Sequence, residues 1–486
     1  MARVAASLLF AIGCARDDDA GEPAALTRLR ADGVTIVDAT GAPVRLRGVN
    51  LGAWSFHETW ISLFDYPLHG RVFVVGQELG IEPEVTRALQ ALGPDQADDI
   101  DAVEQAVAKE VGAGAAAELR AEVERYPSLA DDSDLPLRLA LEQRFGTDGR
   151  DRLLDTFQGA WLRDADLDWL AAQGFNLLRV PLGYRALVTT SDQEPLTELR
   201  YNELMFARID DLLDRAEARG MYVVLDLQES PGGHNDYSGV GTLYDDPAMQ
   251  ALTVSLWSEL SRRYADRDVV AAYSLLAEPM SAPDAATRDA VYDQLVQAIR
   301  GRGDDHLLVI HDGFQGMGSL PAPATYGWEG VVYSTHLFEW GATSSAAYEV
   351  MIALTDVTLA EAQAAQGVPY FIGSFSTMAD EDWAYEGAAG FVDLFEARDW
   401  SWAVWTFKRI DDPIDAALWG TSTSWGVLGR LDGAFERPDA WRDDEATLTN
   451  KLAGYADLDV APNQALVDAL APGARAAVAA RAEGGR

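Results

Sequence analysis

Eight short, almost wholly apolar runs recur along this chain, and their rhythm restricts its fold more than any other feature. They lie in RLRGVNLGAW, FNLLRVPLGY, MYVVLDLQES, VVAAYSLLAEP, HLLVIHDGF, VVYSTHLFEW, PYFIGSFS and SWAVWTFK. A strand with one wet face alternates apolar and polar residues, whereas a parallel strand covered on both faces is apolar nearly throughout. Stretches such as YNELMFARIDDLLDRAEARG and MQALTVSLWSELSRRYADR separate most of the runs and carry apolar residues at helical spacing. Strand and helix alternating eight times predict an α/β fold, a (β/α)8 TIM barrel, with an open doubly wound sheet as the alternative. One crossover departs from the pattern: residues 314–330 are rich in Gly and Pro and predict no helix.

Around this repeat the chain divides unevenly. LRADGVTIVDATGAPVRLRGVN alternates about turn signals at Asp32-Gly33 and Thr40-Gly41, predicting an N-terminal β-hairpin that leads into the first barrel strand. Residues from about 63 to 149 are acidic, alanine-rich and helical in pattern, too long for a simple βα loop. They predict a helical insertion between strands 1 and 2, beside the C-terminal mouth of the barrel. The expected boundaries are a signal peptide at 1–14, an acidic linker at 15–26, the barrel with its insertion at 27–460 and a C-terminal helical tail at 461–486.

With 78 acidic against 38 basic residues and a net charge of −40, the surface repels phosphate backbones and anionic lipid headgroups, which argues against a nucleic-acid partner. Cys14 is the sole cysteine, so neither an intramolecular disulfide nor a cysteine-based metal cluster can form. Arg3, an apolar run from Val4 to Ile12, and Cys14 before Asp17, Asp18 and Asp19 read as a short signal peptide ending at a lipidation cysteine. The position three before the cysteine is Ala11 rather than the usual leucine. A monomer at the bacterial cell envelope, exported and held only by its lipid, is the expectation; plain secretion is the alternative.

Barrels of this class carry their chemistry at the C-terminal strand ends. Those ends supply Asn50, Trp54, Glu58, Arg179, Tyr184, Gln228, Glu229, His234, Asn235, Glu278, His336, Phe338, Ser374, Trp405 and Lys408. Polar groups mixed with aromatic plates suit a sugar, whose hydroxyls need fixed partners and whose ring face stacks on indole. RGVNLGAW with Glu58, the stretch Asn176 to Pro181, LDLQESPGGHN, LLAEP, VVYSTHLFEW, GSFS and WSWAVWTFK together resemble glycoside hydrolase family 5, in particular its exo-β-1,3-glucanase-like branch, from about Arg45 to Trp425. The resemblance implies a β-glucan-type polysaccharide or oligosaccharide as ligand and no cofactor or metal. It also implies Glu278 as acid/base, with Glu58, Arg179, Gln228, Asn235, Ala277, His336, Phe338 and Trp405 around the sugar.

Four positions depart from the family pattern. Ser374 stands at the nucleophilic glutamate, Ala277 at the asparagine before the acid, Gln228 at the third-strand histidine and Phe338 at the tyrosine after His336. Retention needs two carboxylates about 5 Å apart, and losing the nucleophile costs about 10⁴ to 10⁶ in rate, roughly 5 to 8 kcal/mol. The expectation is a sugar-binding protein with degraded catalysis. The alternative is an active O-glycosyl hydrolase using Glu278 with a non-standard second carboxylate, sought among Glu229, Glu339 and the run Asp380, Glu381, Asp382. His311 and Asp312 read as packing and capping residues, His57 and His234 as substrate contacts or loop residues, and Trp419 and Trp425 as sugar platforms or rim cover.

If Cys14 carries the anchor, Cys14→Ser should move the protein from the membrane fraction to the soluble fraction on cell fractionation. Unchanged membrane association would remove the lipoprotein reading.

Overall fold

Asp32-Gly33 turns the chain between Arg30–Asp32 (β1) and Thr35–Val37 (β2), which pair antiparallel with Arg30 opposite Val37. The computed structural model describes residues 25–126, 134–235, 241–338, 342–420, 425–431 and 435–471, so the expected signal peptide with Cys14 and the expected acidic linker up to residue 24 lie outside the described residues. All eight apolar runs are strands: Arg47–Asn50 (β3), Leu177–Gly183 (β4), Tyr222–Glu229 (β5), Val270–Ser274 (β6), Leu307–His311 (β7), Val331–Phe338 (β8), Tyr370–Ser376 (β9) and Ser401–Val404 (β10). They close into a parallel barrel in the order β10-β3-β4-β5-β6-β7-β8-β9. Closure is tight where β3 meets β4. A Cβ on Gly48 would lie 2.3 Å from the Leu177 carbonyl oxygen, so only glycine fits.

The hairpin stoppers the N-terminal end of the barrel. Leu29 and Ile36 pack with Leu46, Leu177, Tyr222, Leu307 and Phe371 at the strand starts, each buried side chain contributing about 1.5–3 kcal/mol. The Tyr222 hydroxyl donates to the Thr27 carbonyl at 3.0 Å and fixes the entering chain. As expected, residues 314–330 cross between β7 and β8 without an α-helix, using only the short 3-10 turns Met317–Ser319 and Pro323–Thr325. Among the described residues no helix is long and apolar enough to cross a membrane.

The insertion is helical, but its end differs from the expected 149. Helix Leu135–Trp161 runs through that point with a kink at Gly146 (φ 71°), because its second half is the helix that returns the chain to the barrel. Ahead of it, helices Leu68–Glu78, Glu82–Leu92, Ile100–Val111 and Ala113–Val123 enclose a separate small core with Val72, Val85, Leu89, Val103 and Leu119. Leu418, from helix Pro413–Trp419 after β10, completes that core. The expected tail is also revised: Val460–Pro462 (β12) pairs antiparallel with Leu428–Leu431 (β11), and only Gln464–Leu470 is helical within the described part.

Charge locks the insertion down. Arg71 binds Asp65 and Asp439, each at 2.6 Å, and Arg150 and Arg138 share Asp192 at 2.6 and 2.9 Å. His69 lies between Asp98 and Asp415, 2.9 Å from each. Burial opposes its charge, but the hydrogen bonds to Asp415 and Asp98 outweigh burial and raise its pKa from 6.5 to about 10. A folded pKa above the unfolded one stabilises fully below pH 6.5 and loses that stabilisation as pH rises through about 10. His69→Ala should therefore ease opening of the insertion by about 1–3 kcal/mol, read as faster subtilisin nicking of helices Leu68–Glu78 and Glu82–Leu92. Raising the pH through 10 should accelerate nicking of the wild type and barely affect the variant.

Candidate active site

Six polar side chains meet at the mouth of the barrel: Glu58 after β3, Arg179 on β4, Gln228 on β5, Glu278 after β6, His336 on β8 and Ser374 on β9. They line a cleft of about 420 Å³ whose other walls are Phe56, Trp60, Met280, Phe314, Phe338, Met378 and Trp405. Apart from Glu58, which precedes the short helix Thr59–Ser62, the polar groups sit on strands or within a few residues of their ends, whereas most of the apolar ones come from the loops that follow. The result is a polar base under an apolar rim.

A buried relay fixes Arg179. Its Nη1 donates to Asn50 Oδ1 at 2.6 Å and its Nη2 lies 2.9 Å from Asp226 Oδ2. Burial pushes the Asp226 carboxyl up from its ordinary range, and Arg179 opposes that push. Asn50 Nδ2 in turn faces the carbonyls of Gly373, Ala403 and Val404 at 3.1 to 3.2 Å, tying β9 and β10 to β3.

His336 Nδ1 hydrogen-bonds the Glu278 carboxylate. Its other nitrogen lies over the backbone of β9: a Cβ on Gly373 would be 2.8 Å from Nε2, so glycine is what lets the ring approach. Burial, then the Arg179 charge, hold His336 well below its ordinary pKa, and the ring is neutral. His311 meets it edge-on, centroids 4.3 Å apart, and accepts the Gly313 N–H at 2.9 Å. Asp312 accepts the Phe314 N–H at 3.2 Å, which makes this pair packing and capping groups.

Glu278 is held in the left-handed region at φ 50°, a conformation that costs a non-glycine residue about 1–3 kcal/mol. The turn is fixed from behind. His234 Nε2 donates to the Ala277 carbonyl at 2.6 Å, Asn235 Nδ2 faces the same oxygen at 3.3 Å, and Met280 N–H reaches Glu278 O at 2.6 Å. Burial pulls His234 down to about 4, so this brace is uncharged. Phe314 and Met378, at φ 59° and 49°, place two further strained residues on the same cleft. Ser374 pairs with His336 across the β8–β9 register, is 2% exposed, and its Oγ has no hydrogen-bond partner.

Eight of the expected site residues share this cleft: Glu58, Arg179, Gln228, Glu278, His336, Phe338, Ser374 and Trp405. Two do not. Asn235 and Ala277 lie behind the wall, where the asparagine amide serves the Gln228 and Ala277 carbonyls, so they are supports rather than surface. Trp54 also turns inward, donating to Gln158 O at 2.9 Å. Lys408 is buried on Trp161 O and Asp166 at 2.7 and 3.1 Å, with burial drawing it down to about 8. Glu229 and Tyr184 face a separate cavity of about 240 Å³. There Arg185 lies 3.1 Å from Glu229, yet burial still pushes that carboxyl to about 7. Glu339 lies outside the described residues, and Asp380 accepts the Tyr385 hydroxyl.

Trp425 packs on the cleft residue Trp60 at 5.4 Å, while Trp419 packs on His69 at 5.2 Å, within the insertion contact. Sequence reasoning missed Phe56, Trp60, Met280, Phe314 and Met378. Their signal was position, since Met280, Phe314 and Met378 each follow a strand end within a few residues. His69, Asp412 and Asp415 bring ligand atoms within 4.8 Å of one another. Both nitrogens of His69 already serve carboxylates, and a protonated imidazole offers a metal no lone pair.

His57 is not a substrate contact. It is fully buried against Phe64 and Phe157 with neither ring nitrogen hydrogen-bonded. Burial, then Arg138, lowers its pKa to about 3. Replacing an unsatisfied buried polar group by an apolar one of similar size is neutral or stabilising. His57→Leu should therefore leave unfolding free energy within about 1 kcal/mol of wild type, or raise it, with oligosaccharide affinity unchanged. Loss of affinity in a folded variant would return His57 to the site.

The sequence pattern of the cellulase family (glycosyl hydrolase family 5) matches residues 147–410, more than half of the chain. A β-xylosidase of Phanerodontia chrysosporium is 30% identical over 211 residues, 42% of this chain and 43% of that protein. Glucan 1,3-beta-glucosidase 2 of Saccharomyces cerevisiae is 26% identical over 242 residues, 44% of this chain and 43% of that protein. Each match thus spans less than half of the relative's length. The crystal structure of endogalactoceramidase superposes with a TM-score of 0.52 at 18% identity, covering 88% of this chain and 85% of that one, a likeness of fold. With its closed barrel and the matched segment running from the returning helix past β10, the chain belongs to glycoside hydrolase family 5.

Proposed function

We propose that this protein binds a β-glucan-type saccharide at the bacterial cell envelope, as a lipid-anchored monomer, and that its hydrolytic pair is incomplete. The observation that carries the reading is Ser374. It lies at the mouth end of β9, on the same cleft as Glu278 and opposite His336, and the family resemblance implies that a retaining enzyme would carry its second carboxylate there. A neutral hydroxyl neither attacks the anomeric carbon unaided nor offsets oxocarbenium charge. Phe338 brings no hydroxyl to orient such a group, and Ala277 brings no amide for a sugar 2-hydroxyl. Retained binding is supported by the indoles of Trp60 and Trp405 beside Arg179, Gln228 and Glu58. It is also supported by the strained backbone kept at Glu278, Phe314 and Met378, since strain that persists at a cleft points to use.

One observation favours a second reading. Among the described residues, Glu58 is the other carboxylate lining the cleft with Glu278. An inverting enzyme would use Glu278 as acid and Glu58 as base, given a separation of about 6.5 to 9.5 Å.

The test is a paired measurement on laminari- and cello-oligosaccharides. Titration calorimetry should detect binding that weakens on Trp405→Ala. Reducing-end release should stay at least about 10⁴-fold below the ordinary range of 1 to 10³ s⁻¹. Turnover inside that range, lost in Glu58→Gln, would establish the inverting reading instead.

A further inference from the structure

Three side chains of the cleft stand in an order that the glycosidase comparison does not explain. The Glu278 carboxylate holds Nδ1 of His336. That bond makes Nδ1 the donor and leaves Nε2 as the ring's lone-pair nitrogen. Nε2 is pressed against Gly373, 2.8 Å from where its Cβ would be, immediately before Ser374. His336 and Ser374 are register partners on neighbouring parallel strands, at an irregularity that leaves Gly373 without a partner residue between Ile372 and Ser374. Both side chains line the one cleft. The Ser374 hydroxyl is almost fully buried and makes no hydrogen bond to the protein. A serine bond to its base is commonly long until substrate closes it.

We infer that Glu278, His336 and Ser374 form a carboxylate–histidine–serine relay that cleaves carboxylic esters, with an acyl group on a sugar hydroxyl as the substrate class. The serine chemistry stands independently of the glucan reading above, and only the sugar half of the substrate rests on it. Recognition is shared between the two layers of the cleft. Arg179, Gln228 and Glu58 can bind a hydroxylated alcohol, while Met280, Phe314, Phe338 and Met378 supply an apolar rim for the acyl chain. Methionine thioethers and an outward phenyl ring, 47% exposed at Phe314, suit a flexible hydrocarbon better than a sugar face.

The steps balance without a further reagent. Ser374 Oγ bonds to the acyl carbon as its proton passes to His336 Nε2, and the Gln228 amide donates to the oxyanion. The ester C–O bond then breaks, and His336 returns the proton to the departing sugar oxygen. Water attacks the acyl-serine by the same route in reverse, giving a carboxylic acid and free Ser374. Glu278 orients the imidazole throughout and stabilises it while it carries the proton, the role of the acid in serine hydrolase triads. Burial, then the Arg179 charge, lowers the His336 pKa and so favours the neutral form that can accept a proton.

The test uses the full chain. A fluorophosphonate probe should label the wild type at Ser374, located by peptide mass mapping, and p-nitrophenyl butyrate should be hydrolysed with a burst. Ser374→Ala should abolish labelling and lower ester turnover at least 100-fold. His336→Gln should match it, and the double variant should lose no more than either single, because the members act as a unit. Ser374→Cys guards against misfolding: its new thiol should be alkylated at position 374 by iodoacetamide faster than in Ser374→Cys/His336→Gln. Laminarioligosaccharide binding in the same samples reports separately on the saccharide reading. An unlabelled Ser374 in wild type, or butyrate turnover equal in wild type and Ser374→Ala, would overturn the inference whether or not glucan binds.

Discussion

Closure of the barrel depends on one buried amide. Asn50, at the end of β3, faces the carbonyls of Gly373, Ala403 and Val404 on one side and receives Arg179 on the other, and Arg179 continues to Asp226. That relay crosses five consecutive strands, β9, β10, β3, β4 and β5, at the level where the cleft begins. A polar side chain so placed would cost several kcal/mol if left unsatisfied, so its partners specify one strand register. The cleft inherits its geometry from that register. Arg179 both holds this relay and lines the cleft, and Gly373 is positioned so that His336 can lie against β9.

The electrostatics of the site follow from burial rather than from the −40 surface. Desolvation lowers His336, His311 and His234 alike, joined at His336 by the Arg179 charge and opposed at His311 and His234 by Glu278, so burial favours the neutral ring at all three. An uncharged imidazole against Glu278 is a poor partner for holding an oxocarbenium ion but a competent proton acceptor. The same burial acts elsewhere without chemistry: Glu229 and Lys408 shift by similar physics inside structural ion pairs. Perturbed titration alone would have marked both as catalytic. Position in the cleft is what separates His336 from them.

The barrel was legible because each strand is apolar on both faces, a signal that survives without any tertiary knowledge, and β3 to β10 all lie within the runs that carried it. The hairpin was legible through its Asp-Gly turn. The end of the insertion was not, since Gly146 breaks the φ/ψ pattern of helix Leu135–Trp161 without ending it. Strand-end arithmetic found the polar half of the cleft and failed wherever a side chain could turn either way. Trp54, Asn235 and Lys408 stand beside the mouth in sequence yet spend their donors on carbonyls and a carboxylate behind it. His57 was ambiguous for the opposite reason: a histidine without any partner is rare in a core, and only the packing of Phe64 and Phe157 reveals it as one. Of the apolar rim, Phe338 and Trp405 were legible, whereas Met280, Phe314 and Met378 had only their position after a strand end to mark them.

The central claim is that the cleft holds a saccharide without a carboxylate placed to attack it. Incubation with an aryl 2-deoxy-2-fluoro-β-glucoside, followed by intact-mass analysis, tests this directly, because the fluorine slows release of any covalent glycosyl-enzyme enough to be weighed. The prediction is an unchanged protein mass alongside reversible ligand binding in the same sample. A stable fluoroglycosyl adduct on Glu58, Glu278 or any other carboxylate of the cleft would contradict the account.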